Sequence, residues 1–297
     1  MTAIPALPVT TEVQSARTFR HVLRVIGRDP LSLASTIVIV LFILIAIFAK
    51  QIAPYPLEGA GKTNVNNSML SPSQEHLFGT DKLGRDILSR VIIGAQPALI
   101  VPICVVLFAV LIGAPLGALA GYKGGWVDEV IMRITDLFLA FPSLLLAMAI
   151  ASAIGRGLGK AAFALIISWW PWYTRLVRGV TLSLKERYFV EAAHAIGVRD
   201  SVIIFRHILP NIISPILVQA TVDLGTVILA MGGLAFLGLG TQPPAPDWGM
   251  MVSEGRTYIL IQWWISTFPG IAIFLVVLAF NLLGDTLRDI FDPRQYR

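Results

Sequence analysis

Charge is what this sequence has least of. Asp, Glu, Lys and Arg make up 14% of its 297 residues, against ~25% in an average soluble domain. Set beside 56% hydrophobic residues, that scarcity excludes an ordinary water-soluble globule and places the chain in the membrane class. Cysteine is nearly missing: Cys104 stands alone inside an apolar run. A disulfide framework is therefore excluded, and the thiol reads as a small buried hydrophobe. The four histidines, His21, His76, His194 and His207, are scattered along the chain and make no metal site. A phosphate cradle of the form Gly-x4-Gly-Lys-Ser/Thr is also missing. The nearest string, GRGLGKA at 155–161, has Ile154 where the first glycine belongs and Ala161 where the hydroxyl belongs. No clustered catalytic constellation appears, which argues against an integral membrane enzyme. The first 30 residues hold no apolar core followed by a small-residue cleavage site, so no cleavable signal is expected.

What the chain does have is long apolar runs. A helix needs ~20 such residues to cross ~30 Å of hydrocarbon. Six candidates follow: 31–49, a stretch within 91–122, 134–155, a weaker one from about 160, 211–240, and one within 257–283. Six crossings put both termini on one side. Fifteen Lys and Arg fall on the face that carries the termini and the loop after the fourth span, and eight on the other. Positive residues favour the cytoplasm, so that face is expected to be cytoplasmic. The net charge of +5 then reports loop orientation and not a nucleic-acid partner. Residues 15–30, SARTFRHVLRVIGRDP, interleave arginines with Phe19, Val22, Leu23, Val25 and Ile26, as a helix lying on the inner leaflet would.

Between the fourth and fifth spans lies the one long polar stretch that is also helix-prone, EAAHAIGVRDSVIIFRHILPN at 191–211. Residues 182–196 suit a helix with a slim alanine surface. Gly197 can take positive φ and end it. A helical pattern resumes over 198–208 with Val202, Phe205 and Leu209 on one side, and Pro210 opens the next span as a first-turn proline. The reading is a helix, a turn and a helix tied to a span at both ends. Two ionisable residues lie inside spans, Asp136 and Asp223. Such groups are costly in lipid and face a cavity or a partner. Asp136, near Arg133, reads as a structural contact. Asp223 is a candidate for the translocation path. Trp169, Trp170 and Trp172 read as interfacial anchors.

The 191–211 stretch resembles the coupling loop of ABC importer permeases. Glu191, Ala192, Ala193, Gly197, Leu209 and Pro210 fall in register with that family's Glu-Ala-Ala, Gly and Leu-Pro. The departure is His207, two positions before Leu209. The resulting His-Ile-Leu-Pro-Asn ending looks like the dipeptide and oligopeptide branch. Four more strings resemble the same branch: HLFGTDKLGRDILSRVIIG at 76–94, GYKGGWVDEVIMRITDLFLAFP at 121–142, FLGLGTQPPAPDWG at 236–249 and FNLLGDTLRDIFDP at 280–293. The resemblance spans roughly residues 20–295. It is specific to the shorter, six-span permease of the dipeptide, oligopeptide and nickel group.

The resemblance implies an all-α fold of six transmembrane helices, the type I ABC importer permease class. It divides the chain into a cytoplasmic tail with a surface helix (1–30), a first transmembrane helix (31–50), a periplasmic loop (51–90), a five-helix permease core (91–285) containing the coupling loop (182–210), and a C-terminal cytoplasmic tail (286–297). It implies transport of peptides across a bacterial inner membrane by alternating access. The implied partners are a homologous permease, two ATP-binding subunits, a periplasmic substrate-binding protein and membrane lipid, with no nucleic acid. No cofactor is expected on this chain, because ATP and Mg belong to the ATPase, and no catalytic residue is expected either. The outer segments 50–90 and 241–255 are expected to cap the mouth and to meet the binding protein. An ion-coupled secondary transporter is the alternative. Within the family, nickel chelates, glutathione and opines remain open as cargo.

Overall fold

The computed structural model describes residues 26–27 and 29–291. The basic surface helix expected over 15–30 falls almost wholly outside them, as do the last six residues. Helix α1 (Pro30–Ile47) starts where the Asp29 carboxylate accepts the Ser32 amide at 2.8 Å and Pro30 sits in the first turn. Short helices α2 (Ala49–Ile52) and α3 (Pro56–Gly59) follow. Helix α4 (Ile87–Lys123) is capped by Asp86, which accepts the Ser89 amide. At 1.5 Å per residue it is roughly 55 Å long, so it passes well beyond the ~30 Å hydrocarbon layer.

The third span is not one straight helix. It consists of α5 (Gly125–Leu139) and α6 (Ser143–Ile154), bent by 84°. Pro142 lies at the break. It has no N–H to donate and disfavours helical geometry at Phe141 before it. Helix α7 (Leu158–Lys185) is 28 residues long, and its Trp and charged residues make it the least apolar crossing. After it come α8 (Tyr188–Ala195) and α9 (Asp200–Val202). A π-helical turn (Ile203–Ile208) then runs into α10 (Leu209–Phe236). Helices α11 (Trp248–Gly255) and α12 (Trp264–Phe291) complete the described chain. Among the described residues four helices are long and apolar enough to span a membrane, five with the bent pair; α7 is long enough but less apolar, which is consistent with the expected six. Ser32 Oγ at the start of α1 lies 2.6 Å from Thr286 Oγ1 near the end of α12, so these two helix ends share one side.

Glycines set the closest helix contacts. Helix α4 presents Gly113, Gly117 and Gly121 to α7, running parallel to it. A Cβ on Gly117 would stand 2.4 Å from the Thr174 carbonyl oxygen. Small residues at four-residue spacing let membrane helices approach backbone to backbone. Helices α10 and α12 run antiparallel, with Gly284 against Val222 and Gly225 against Asn281. Two tryptophans expected at the interface are instead buried: Trp169 and Trp170 pack with Leu165, Tyr173, Val227 and Met231. Trp172 alone of the three is exposed, donating to Ser143 Oγ at 3.2 Å. Cys104, read as buried, is exposed on α4.

At the end where α4 begins, residues 48–86 fold over the bundle. Arg85 is fully buried, donating to Asp81 at 2.6 Å and to Glu254 of α11 at 3.2 Å. His76 lies 2.9 Å from Asp86, and the Asp86 amide donates to Glu58. Helix α11 is seated close by. Trp248 Nε1 donates to the Val91 carbonyl at 2.9 Å, and Gly249 rests directly on Gly232. Asp247 caps α11 by accepting the Met250 amide, and also accepts the Thr241 hydroxyl. Burial pushes its carboxyl above the ordinary carboxylate range. The cavity beneath measures about 20 Å³, room for about one water.

Candidate functional site

The sequence-nominated residues fall in two places. Glu191, Ala192, Ala193 and Gly197 lie together on an elbow formed by α8 and the turn after it. Leu209 and Pro210 open α10, where the elbow returns to the bundle. Asp223 stands apart, 14 residues further along α10.

The elbow is a helix, a closed turn and a further helical segment, tied to the bundle at both ends. The expected helix over 182–196 is two helices in fact, because α7 runs to Lys185 and the chain turns before α8 begins at Tyr188. Gly197 has φ +78, which an L side chain rarely adopts. Its amide donates to the His194 carbonyl at 3.0 Å, and the Val198 amide to the Ala193 carbonyl at 3.1 Å. These two bonds are the Schellman closure of a helix, and Val198 packs in the same apolar cluster as Ala193. On the far side of the turn the buried face differs from expectation. Ile203, Ile204 and Ile208 point inward, while Val202 and Phe205 are exposed. The π-helical turn shifts the register by one residue per turn relative to an α-helix, which rotates the apolar face.

Beneath the elbow, Val190, Ala193, Ile203, Ile204 and Ile208 pack against Ala114, Ala118 and Tyr122 of α4 and Val177 of α7. Three ion pairs surround that contact. Asp200 accepts from Lys123 at 2.5 Å and from the Tyr122 hydroxyl at 3.1 Å. Arg178 of α7 grips Asp128 of α5 with two bonds of 2.5 and 2.6 Å. Arg175 reaches Asp136 at 2.5 Å, so Asp136 meets α7 and not Arg133, which pairs with Glu129. The ends of α4, α5, α7 and the elbow are thus joined. The outward surface is mixed: Tyr188 is 89% exposed, Ile196 81% and Phe205 63%, among exposed Arg187, Glu191, Arg199 and Arg206. Beside it an open groove is lined by Glu191, His194 and Ala195 with Lys185 and Tyr122.

Asp223 sits in the middle of α10 and is buried. Gln219, one turn earlier, donates to its Oδ1 at 3.0 Å. Tyr173 of α7 faces the same carboxylate. Sequence reading missed Tyr173, which looks like core, and it missed the glycine stripe on α4, although the four-residue spacing of Gly113, Gly117 and Gly121 is a legible signal. Among the described residues no group of three His, Cys, Asp or Glu side chains could hold a metal ion.

Comparison with known proteins follows the same lines. Residues 113–297 match the family of binding-protein-dependent transport system inner membrane components. Residues 18–72 match the N-terminal transmembrane domain of oligopeptide transport permease C. The dipeptide transport system permease protein DppC of Alkalihalophilus pseudofirmus is 44% identical over 287 residues, 97% of this chain and 93% of that protein. The glutathione transport system permease protein GsiD of Escherichia coli O6:K15:H31 is 45% identical over 297 residues, 98% and 96%. Among solved structures, the inward-facing MetNI methionine ABC transporter superposes with a TM-score of 0.54 at 19% identity, covering 68% of this chain and 96% of that one. At that identity the likeness speaks for the fold.

Proposed function

Because this chain belongs to the family of binding-protein-dependent transport system inner membrane components, we propose that it is the membrane-embedded permease subunit of an ATP-driven importer of small peptides, dipeptides or glutathione-like molecules. The named relatives carry dipeptides and glutathione, and both cargoes are short amides with a free ammonium and a carboxylate. The permease works with a homologous second permease. Two ATP-binding subunits sit on the elbow side, and a substrate-binding protein delivers cargo at the other. The elbow and both termini face the cytoplasm of a bacterial inner membrane, and ATP and Mg stay on the partner ATPases.

One observation carries the coupling role of the elbow. Its outward face exposes Tyr188, Ile196 and Phe205 within a charged rim, while its inward face is packed on the ends of α4 and α7. A surface of this kind suits a protein partner. Closure of an ATPase dimer pushes on α8. Val190 and Ala193 pass that displacement to α4 and α7, and the π-helical turn passes it to α10. Gly197 holds the angle between α8 and the return strand of the lever. Glu191, exposed on α8, offers a charge to the ATPase surface, and Leu209 with Pro210 fixes where the lever enters the bundle. At the far end α11 blocks the path until the same motion draws it off its seat on Gly232.

The test uses Glu191→Lys and Gly197→Pro in the assembled transporter. Both should abolish uptake and leave membrane insertion intact, with loss of ATPase co-purification for Glu191→Lys. Normal ATPase retention together with normal uptake would refute the coupling assignment. Uptake that survives ATP depletion but collapses with an uncoupler would instead point to ion-coupled transport.

A further inference from the structure

Tyr173 is the 16th residue of the 28-residue α7 and Asp223 the 15th of the 28-residue α10. Each lies near the middle of its helix by residue count, with Tyr173 two residues before Arg175 and so on the elbow side of the bundle. Tyr173 is fully buried, and Asp223 is 8% exposed. They face one another, yet neither the Tyr173 hydroxyl nor Asp223 Oδ2 has a hydrogen-bond partner of good geometry. Asp223 Oδ1 is held by the Gln219 amide at 3.0 Å. The cations of α7 are engaged elsewhere, Arg175 with Asp136 and Arg178 with Asp128.

A carboxylate buried in a span without a counter-ion is costly, and a buried acceptor left open costs free energy of its own. The open groups are Asp223 Oδ2, an acceptor, and the Tyr173 hydroxyl, which turns its O–H toward that carboxylate and keeps its lone pairs free. A primary ammonium is the complement, with three donors, no acceptor and one positive charge. We propose that Asp223, Tyr173 and Gln219 form a buried subsite for the ammonium group of the passing substrate. The inference rests on the reading of this chain as a peptide permease. Dipeptides and glutathione share that ammonium group. In the present conformation the subsite is shut between α7 and α10. These two helices flank the elbow, so the lever that opens the path also exposes the subsite. Asp223 then screens cargo a second time, after the binding protein has chosen it.

The experiment measures uptake by the complete transporter in proteoliposomes, with its binding protein. It compares one dipeptide with its des-amino analogue, in which hydrogen replaces the ammonium. Selectivity by the binding protein is common to every variant, so a changed uptake ratio reports the permease. Asp223→Asn should lower the amino-to-des-amino ratio by roughly tenfold or more. Tyr173→Phe should lower it less, and ATP hydrolysis stimulated by loaded binding protein should persist in both. Ratios that stay at the wild-type value overturn the subsite. So does ATP hydrolysis that falls in step with uptake at an unchanged ratio, since that marks a helix-locking contact. If Asp223→Asn fails to assemble, Gln219→Leu serves in its place, with a lowered ratio in support and an unchanged ratio against. Absence of peptide uptake by the wild-type transporter would strike the peptide reading and not the subsite geometry.

Discussion

Arg85 is 1% exposed and shares Asp81 and Glu254 at one end of the bundle. At the other end Lys123 meets Asp200 with the two side chains 44% and 37% exposed. Both are ion pairs between segments distant in sequence or in role, but water is excluded from one and bathes the other. The first region uses buried charge to pin a 39-residue cap segment (48–86) to the bundle. The second leaves its charge at the rim of a mixed surface, and Tyr188, Ile196 and Phe205 remain uncovered on it. One end of the molecule is thus pinned by buried charge, and the other keeps its ion pairs in water.

Arg85→Ala should break this contrast most severely. It leaves Asp81 buried without its closest partner, and loss of one member of a buried pair costs about 3–5 kcal/mol. Thermal unfolding of the purified permease pair should show the cap lost, with Asp81→Ala behaving alike. An unchanged midpoint would mean that the cap is held by its backbone turns alone.

Glycine offers a cleaner version of the comparison. Gly84 in the cap and Gly197 in the elbow have nearly the same backbone, φ +71 and +78. A Cβ on Gly84 would stand 1.7 Å from the Asn64 carbonyl oxygen, whereas one on Gly197 meets nothing within 4 Å. Gly84→Ala should therefore cost roughly 3 kcal/mol from conformation and collision together, and Gly197→Ala about 1 kcal/mol from conformation alone. Equal shifts in the unfolding midpoint of the two variants would show that surroundings do not matter and sink the contrast. Next in size is Asp200→Asn. An exposed ion pair is worth about 0.5 kcal/mol, and the Tyr122 hydroxyl keeps an acceptor in the amide oxygen. The small loss should vanish as salt rises toward 1 M, where the screening length falls to ~3 Å.

The elbow was legible because a run of charged and polar residues around Glu191 and Arg199 stands out between two apolar stretches. The spans were legible for the same reason in reverse. The cap was not. Arg85 and Glu254 are 169 residues apart, and no local pattern says which loop acid a loop arginine will find, so nothing in the sequence marks Arg85 and Arg90 as buried. The bend in the third span is a middle case. Hydropathy runs through 134–155 without a break, and only Pro142 marks the corner, which a composition window averages away. Trp169 and Trp170 misled because their indole rings suit an interface as well as a helix contact, and the choice depends on how α7 meets α4, α6 and α10.

Ile196→Glu should have the smallest effect on the fold and for that reason tests the comparison most sharply. Ile196 is 81% exposed at the tip of the elbow, and Gly197 closes α8 through backbone bonds that a side chain does not enter. A substitution on such a surface stays within about 0.5 kcal/mol. A charge placed in the centre of a protein interface, by contrast, is left unpaired and desolvated. The unfolding midpoint of the permease pair should therefore stay put while ATPase co-purification and uptake are lost. An unchanged ATPase complex would mean that the apolar tip faces lipid or water. The docking surface of this molecule would then lie elsewhere, and the lever would have to be sought on the groove beside Glu191 and His194.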